Sequence, residues 1–184
     1  MKLIILDRDG VINEDSDAYI KSPDEWVPIP GSLEAIGRLS QAGWRVVVAS
    51  NQSGLARGLF TMETLGDIHQ RMRQAASEVG GRIDAIFFCP HGPGAQCDCR
   101  KPKPGMLLDI ARRLDVRLEG IPLVGDSLRD LQAGASVGCS PWLVLTGKGR
   151  KTWETSGTCG ELPAGTVVCD DLAAVVDALL KAAP

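Results

Sequence analysis

The chain has 184 residues, 44% of them hydrophobic, and a formal net charge of −3. That length and apolar content suit a single domain, 1–184, with a sizeable core. The acidic balance, pI near 5.4, counts against a nucleic-acid-coating role, and no apolar stretch approaches a membrane span.

Met1-Lys2-Leu3 leads straight into an apolar run. No signal peptide is expected, and the expected compartment is the cytoplasm. The run predicts a buried parallel strand at Lys2–Leu6. Asp7-Arg8-Asp9-Gly10 follows it. Two carboxylates two residues apart thus stand at the carboxyl end of a strand, where open α/β sheets bind ligands. Such a pair can hold a divalent cation and leave one oxygen free to attack phosphorus. A polar turn is the plainer reading of the same residues.

Residues 11–30 form a long polar connection with Pro23, Pro28 and Pro30. A helix is predicted at Ser32–Ala42, capped by Ser32 and stopped by Gly43. The next strand, Arg45–Ala49, runs into Ser50-Asn51-Gln52-Ser53-Gly54. A hydroxyl and backbone N–H groups at a strand end can hold phosphoryl oxygens, although small polar residues also favour ordinary turns. A helix at Thr61–Val79, with Thr61 as cap, precedes a strand at Ala85–Phe88.

Residues 89–104 are a Gly/Pro/Cys-rich loop ending in Arg100-Lys101-Pro102-Lys103-Pro104-Gly105. Its cations stand before a predicted helix at Gly105–Leu114. A strand at Pro122–Val124 leads to Gly125-Asp126-Ser127-Leu128-Arg129-Asp130 and a helix at Leu128–Ala135. Asp126 suits a cation site and Asp130, one helical turn on, suits its support; Asp126 or Ser127 also suits a helix cap. Strands at Pro141–Leu145 and Thr166–Val168 and a helix at Leu172–Ala182 complete the chain, with an irregular stretch at 147–165. This alternation predicts a doubly wound parallel sheet with helices on both faces. No nucleotide-binding glycine motif is present.

Cys89, His91, Cys97 and Cys99 lie within eleven residues. In a reducing compartment such a cluster points to metal, and this donor set suits a closed tetrahedral zinc site. Free thiols beside an exposed His are the alternative. Cys169, at the end of an apolar run, reads as a small core residue. Cys139 and Cys159 carry no assignment.

Acid pair, hydroxyl, lysine and acid, in this order at successive strand ends, resemble the haloacid dehalogenase superfamily of phosphatases. The segments 7–13, 50–58, 89–91, 97–106 and 124–126 narrow the resemblance to the D-glycero-D-manno-heptose-1,7-bisphosphate 7-phosphatase family. Histidinol-phosphate phosphatases are close relatives with a similar zinc loop. The resemblance covers Leu3 to about Leu180. It implies a Rossmann-like fold without a separate cap domain, a catalytic Mg2+ and a structural Zn2+ in the loop 89–99.

The resemblance makes Asp7 the nucleophile, Asp9 the general acid, Ser50 the phosphoryl-binding hydroxyl and Lys101 the neutralising cation, with Lys103 the competing lysine. Magnesium falls to Asp7, the Asp9 carbonyl and Asp126, with Asp130 behind them. Cys89, His91, Cys97 and Cys99 take zinc. Asp15, Tyr19, Asn51, Ser53, Arg57 and Arg100 would meet a sugar bisphosphate, the two arginines suiting a second phosphate. The loop between His91 and Cys97 is short for these enzymes, and Ser127 stands where some members carry Lys. The expected molecule is a monomer that engages neither nucleic acid nor membrane. Histidinol phosphate is the alternative substrate. A non-catalytic zinc-stabilised binding module and a nucleic-acid-end phosphatase are remoter readings.

Overall fold

The computed structural model describes residues 2–182. Six strands form one parallel sheet in the order β3-β2-β1-β4-β5-β6. They are β1 (Leu3–Leu6), β2 (Arg45–Asn51), β3 (Ala85–Cys89), β4 (Pro122–Gly125), β5 (Ser140–Val144) and β6 (Val167–Cys169). The helices are α1 (Ser32–Gln41), α2 (Met62–Glu78), α3 (Gly105–Leu114), α4 (Leu128–Ala135), the short α5 (Gly149–Thr152) and α6 (Leu172–Ala182). Strand order grows outward in one direction through β2 and β3, and in the other through β4, β5 and β6. The switch point therefore lies between β1 and β4, where ligands bind in such sheets.

Side-chain alternation explains why every residue of β1 is buried. Ile4 and Leu6 pack with Val46 and Val48 against Ile36 and Leu39 of α1, Ile68 and Met72 of α2, and Val175 and Val176 of α6. Leu3 and Ile5 face the opposite layer, with Val47, Leu107 and Ile110 of α3 and Ala133 of α4. In α2 the buried positions are Leu65, Ile68, Met72, Ala75 and Ala76, spaced as one apolar stripe of a helix. Burying each large aliphatic side chain contributes about 1.5–3 kcal/mol.

The predicted α/β alternation appears in full, with ends shifted by a residue or two. Thr61 caps α2 through its side chain, accepting from the Thr64 N–H at 3.1 Å. Ser32 does not cap α1. That position is Gly31, at φ +83°, while the Ser32 hydroxyl donates to the Val11 carbonyl at 2.8 Å and ties the long 11–30 connection to the helix. Ser127, not Asp126, caps α4, in a reciprocal capping box with Asp130.

Two pieces of local structure depart from the expected loops. Pro23–Glu25 forms a 3-10 turn capped by Ser22. Within the stretch 147–165, α5 continues into a π-helical turn at Trp153–Gly157. Gly149 starts α5 pressed against the Val144 carbonyl, with no room for a Cβ. Cys139 is buried, Cys159 is exposed and Cys169 is partly buried against the core. Among the described residues no helix is long and apolar enough to cross a membrane.

Candidate active site

The carboxyl ends of β1, β2 and β4 open into a cleft of about 320 Å³. The Asp7 N–H donates to the Val124 carbonyl at 2.9 Å, so the residue leaving β1 is still held by β4 at the switch point. Ser50, on β2, and Asp126, just beyond β4, are both buried and line the same cleft. Lys101 reaches it from the loop before α3, with its side chain 2% exposed. Its Nζ lies 3.0 Å from Asp7 Oδ1 and 2.7 Å from Asp130 Oδ1, and donates to the Ala49 carbonyl at 2.7 Å.

Lys103 turns the other way. It donates to the Cys97 carbonyl at 2.8 Å and stands 3.7 Å from Asp98. Burial alone separates the two lysines, and Lys101 is the one inside.

The electrostatics of the cleft are unbalanced. Burial pushes the Asp7 carboxyl up to about 7, with the charges of Asp130 and Asp9 adding to it against Lys101. Burial likewise pushes Asp126 up to about 8, helped by Asp130 and Asp7. Burial works against the charge of Lys101, yet Asp130 and Asp7 together hold it up at about 12. Asp130 is opposed by burial but held below its ordinary range by Lys101. One lysine thus pairs with two members, Asp7 and Asp130, of a cluster of three carboxylates, Asp7, Asp126 and Asp130, whose ligand oxygens lie within 4.8 Å of one another.

A divalent cation would relieve that surplus, and the all-oxygen donor set fits magnesium. Asp130 is already engaged on both oxygens, by Lys101 on one and by Ser127 on the other. Asp7 and Asp126 are the freer pair. The Asp126 Oδ2 accepts the Lys148 N–H at 2.7 Å, and the Thr152 hydroxyl donates to the Asp126 carbonyl at 2.8 Å. The stretch expected to be irregular therefore carries part of the site.

In the loop after β3, the four ligand atoms of Cys89, His91, Cys97 and Cys99 also lie within 4.8 Å of one another. Cys89 and Cys99 sulfurs are 3.1 Å apart, and His91 Nδ1 stands 3.6 Å and 3.4 Å from them. All three cysteines are free of disulfides. Burial and the neighbouring Cys89 and Cys97 push the Cys99 thiol up to about 12. This crowding of sulfur around one point fits a zinc ion, which binds thiolates and offsets their mutual repulsion.

The remaining predicted residues gather around the cleft. Asp15, Tyr19, Asn51, Ser53, Arg57 and Arg100 all line it. The Arg57 guanidinium sits 5.6 Å from the Tyr19 ring centroid. Arg100 donates to the His91 carbonyl at 3.1 Å, so the metal loop holds it. Asn51 spends its amide on the loop of Lys101, exchanging two hydrogen bonds of 3.1 Å with the Lys101 backbone.

Known proteins lie close to this chain in sequence. A D-glycero-beta-D-manno-heptose-1,7-bisphosphate 7-phosphatase of Bordetella bronchiseptica is 65% identical over 183 residues, covering 100% of both chains. The chain belongs to this family of haloacid dehalogenase-like hydrolases. The same-named enzyme of Pseudomonas aeruginosa is 57% identical, over 97% of this chain and 98% of its own. Family models match as well, one described as polynucleotide kinase 3 phosphatase over residues 2–130 and one described as HAD-hydrolase-like over 98–175. A crystal structure of the D,D-heptose 1,7-bisphosphate phosphatase from B. bronchiseptica, complexed with magnesium and phosphate, superposes with a TM-score of 0.95 at 65% identity, covering 100% of both chains.

Within this heptose-bisphosphate phosphatase family fold, four site residues escaped the reading of the sequence. Arg8 is buried beside Asp9, with Nη2 2.9 Å from its Oδ1. Asn13 donates to the same oxygen at 2.9 Å, and Gln52 to the other at 2.9 Å. Lys148 bridges to Asp15 at 3.1 Å and Asp17 at 3.4 Å across the cleft mouth. None belongs to a periodic pattern. The run Asp-Arg-Asp-Gly-Val-Ile-Asn carried a signal for Arg8 and Asn13, and Gln52 lay within the Ser-Asn-Gln-Ser-Gly run without a role of its own.

Proposed function

We propose that the protein is a magnesium-dependent phosphatase that removes the 7-phosphate of D-glycero-D-manno-heptose 1,7-bisphosphate. The observation that carries this reading is the Asp7 carboxylate at the switch point, 3.0 Å from the Lys101 ammonium, with an oxygen within 4.8 Å of one of Asp126. The identity to heptose-bisphosphate phosphatases over the whole chain supports the substrate. The place of such an activity is the supply of ADP-heptose for lipopolysaccharide core in the cytoplasm, by a monomeric single-domain enzyme.

In this mechanism an Asp7 carboxylate oxygen attacks phosphorus in line. The bond from phosphorus to the sugar oxygen breaks, and that oxygen takes its electron pair and a proton from Asp9. The Ser50 hydroxyl and the Lys101 ammonium face the phosphoryl oxygens and neutralise them where charge is concentrated. Water then attacks phosphorus in the aspartyl-phosphate, Asp9 takes the water's proton, and the bond from phosphorus to the Asp7 oxygen breaks, releasing phosphate and restoring the carboxylate. Burial opposes the Asp9 charge, while Arg8, Asn13 and Gln52 hold its carboxyl below the ordinary range; substrate entry must offset that to load a proton. Magnesium, held by Asp7, Asp126 and the Asp9 carbonyl, supplies further charge neutralisation. Zinc at Cys89, His91, Cys97 and Cys99 fixes the loop that presents Arg100 and Lys101.

Asp15, Tyr19, Asn51, Ser53, Arg57 and Arg100 form the sugar-facing wall, with the arginines taking the 1-phosphate bidentately. Histidinol phosphate is the weaker alternative, because Lys148 already pairs with Asp15 and Asp17, the acids that would meet its amine. The deciding assay is magnesium-dependent phosphate release from both anomers of heptose 1,7-bisphosphate, histidinol phosphate and an aryl phosphate. The bisphosphate is expected to be preferred, and preference for histidinol phosphate would overturn the substrate assignment. Asp7→Asn should lower turnover by more than about a thousandfold with an unchanged fold. Retained activity would sink the mechanism.

A further inference from the structure

Gln52 is the first residue beyond β2 and is 3% exposed. Its backbone is pinned, with the N–H donating to the Cys89 carbonyl at 2.8 Å at the edge of the metal loop. Its side-chain amide nitrogen has two hydrogens and meets two acceptors. One is Asp9 Oδ2 at 2.9 Å, and the other is Ser50 Oγ at 2.8 Å.

The two oxygens of Asp9 differ. Oδ1 faces Arg8 Nε at 3.2 Å, Arg8 Nη2 at 2.9 Å and Asn13 Nδ2 at 2.9 Å, and has no room for a proton. Oδ2 accepts only from Gln52 in this network, which leaves it a position for one. Ser50, by accepting from Gln52, keeps its own hydrogen for another acceptor.

We infer that Gln52 is a positioning residue for phosphoryl transfer, fixing Asp9 Oδ2 as the proton-carrying oxygen and Ser50 as a donor to the phosphoryl group. The inference rests on the phosphatase reading above and deepens it. One buried amide links the group that protonates the leaving oxygen to the group that binds the phosphoryl oxygens. In the step it serves, a bond from Asp7 to phosphorus forms as the ester bond breaks, and the departing oxygen takes the proton from Asp9 Oδ2. An alkoxide leaves poorly without that proton, whereas a nitrophenolate leaves well without it.

The test is therefore leaving-group sensitivity, read as kcat/KM, which covers steps only up to departure of the leaving group when that step is irreversible. Gln52→Leu removes both hydrogen bonds and keeps the bulk. It should lower kcat/KM for the sugar bisphosphate at least about thirtyfold more than for 2,4-dinitrophenyl phosphate, within the span of general-acid contributions. A common factor on both substrates reports the Ser50 share. Gln52→Met, unbranched like the native side chain and without an N–H donor, is made alongside in case the leucine variant does not fold, and should show the same bias. Absence of that bias between the two substrates in the folded variants, whatever the common factor, overturns the inference. Failure of the phosphatase reading looks different: the unaltered protein would then release no phosphate from either substrate, or Asp7→Asn would remain active.

Discussion

Lys101 carries the largest electrostatic burden of any residue in the cleft. It is nearly inaccessible and holds Asp7 and Asp130 together from 3.0 Å and 2.7 Å. Lys101→Met would leave two buried carboxylates facing each other with no cation between them. Breaking a buried pair in this way costs about 3–5 kcal/mol, more than replacing the whole group with apolar residues would. The variant should unfold at clearly lower denaturant and lose phosphatase activity, and a Lys101→Met, Asp130→Leu double variant should recover part of that stability without activity, the shortfall being the α4 cap that Asp130 makes with Ser127. Full stability in the single variant would contradict the geometry. By residue type alone Lys101 and Lys103 stand on equal chemical terms, spaced two residues apart, and only the family resemblance favoured Lys101. What separates them is the backbone direction at the loop's end, a tertiary property that no residue type encodes. Gln52 was hidden for a related reason. A glutamine after Ser-Asn carries no spacing signal, and its role exists only because β2 and the loop after β1 end side by side.

At the scale of elements, the loop after β3 has almost no core of its own, and the sulfur cluster takes the place of one. Structural zinc supplies on the order of 10–16 kcal/mol to small domains that fold around it, far more than a loop of this length can gain from packing. Removal of zinc should therefore free Arg100, which donates to the His91 carbonyl, and loosen Lys101 directly behind Cys99. Purified protein is expected to contain about one zinc per chain by elemental analysis. A chelator strong enough to remove it should abolish activity that added magnesium does not restore, while zinc does. Activity surviving zinc removal would show that the loop is held by something else. This loop was legible because four ligand-type residues in eleven positions are rare outside metal sites. The helix at Gly149–Thr152 was not legible, because four residues rich in Gly and charge show no helical period. It forms because Thr146 and Thr152 anchor it to Gly10 and Asp126 on neighbouring strand ends.

For the whole molecule, strand–helix alternation dictates most of the architecture. Six short apolar runs separated by amphipathic helices leave a parallel sheet covered on both faces as the consistent solution, and β1 at its centre follows from its being apolar throughout. What alternation does not reveal is which polar groups become trapped between layers. His69 is such a group. It lies on the α2 stripe, its ring 5.8 Å from that of Phe88 on β3, with Nε2 buried and unpartnered. Burial pushes its imidazole down to about 4, with Arg8 and Arg73 reinforcing the effect and Asp9 opposing it. The folded protein therefore prefers neutral His69, while the unfolded chain takes up a proton near pH 6.5. Its contribution to stability is complete above about pH 6.5 and is lost as pH falls toward about 4, at up to about 1.4 kcal/mol per unit. Partial exposure of the ring reduces that slope. Asp7 and Asp126 are pushed the opposite way and titrate in an overlapping range, so the raw stability curve mixes the effects. The difference between the unaltered protein and His69→Leu isolates the histidine, because the carboxylates are common to both. Denaturant unfolding from pH 7 to 4 should show the variant gaining on the unaltered protein as acid is added. Parallel curves would mean that His69 finds a partner or solvent that the packing of α2 against β3 does not provide.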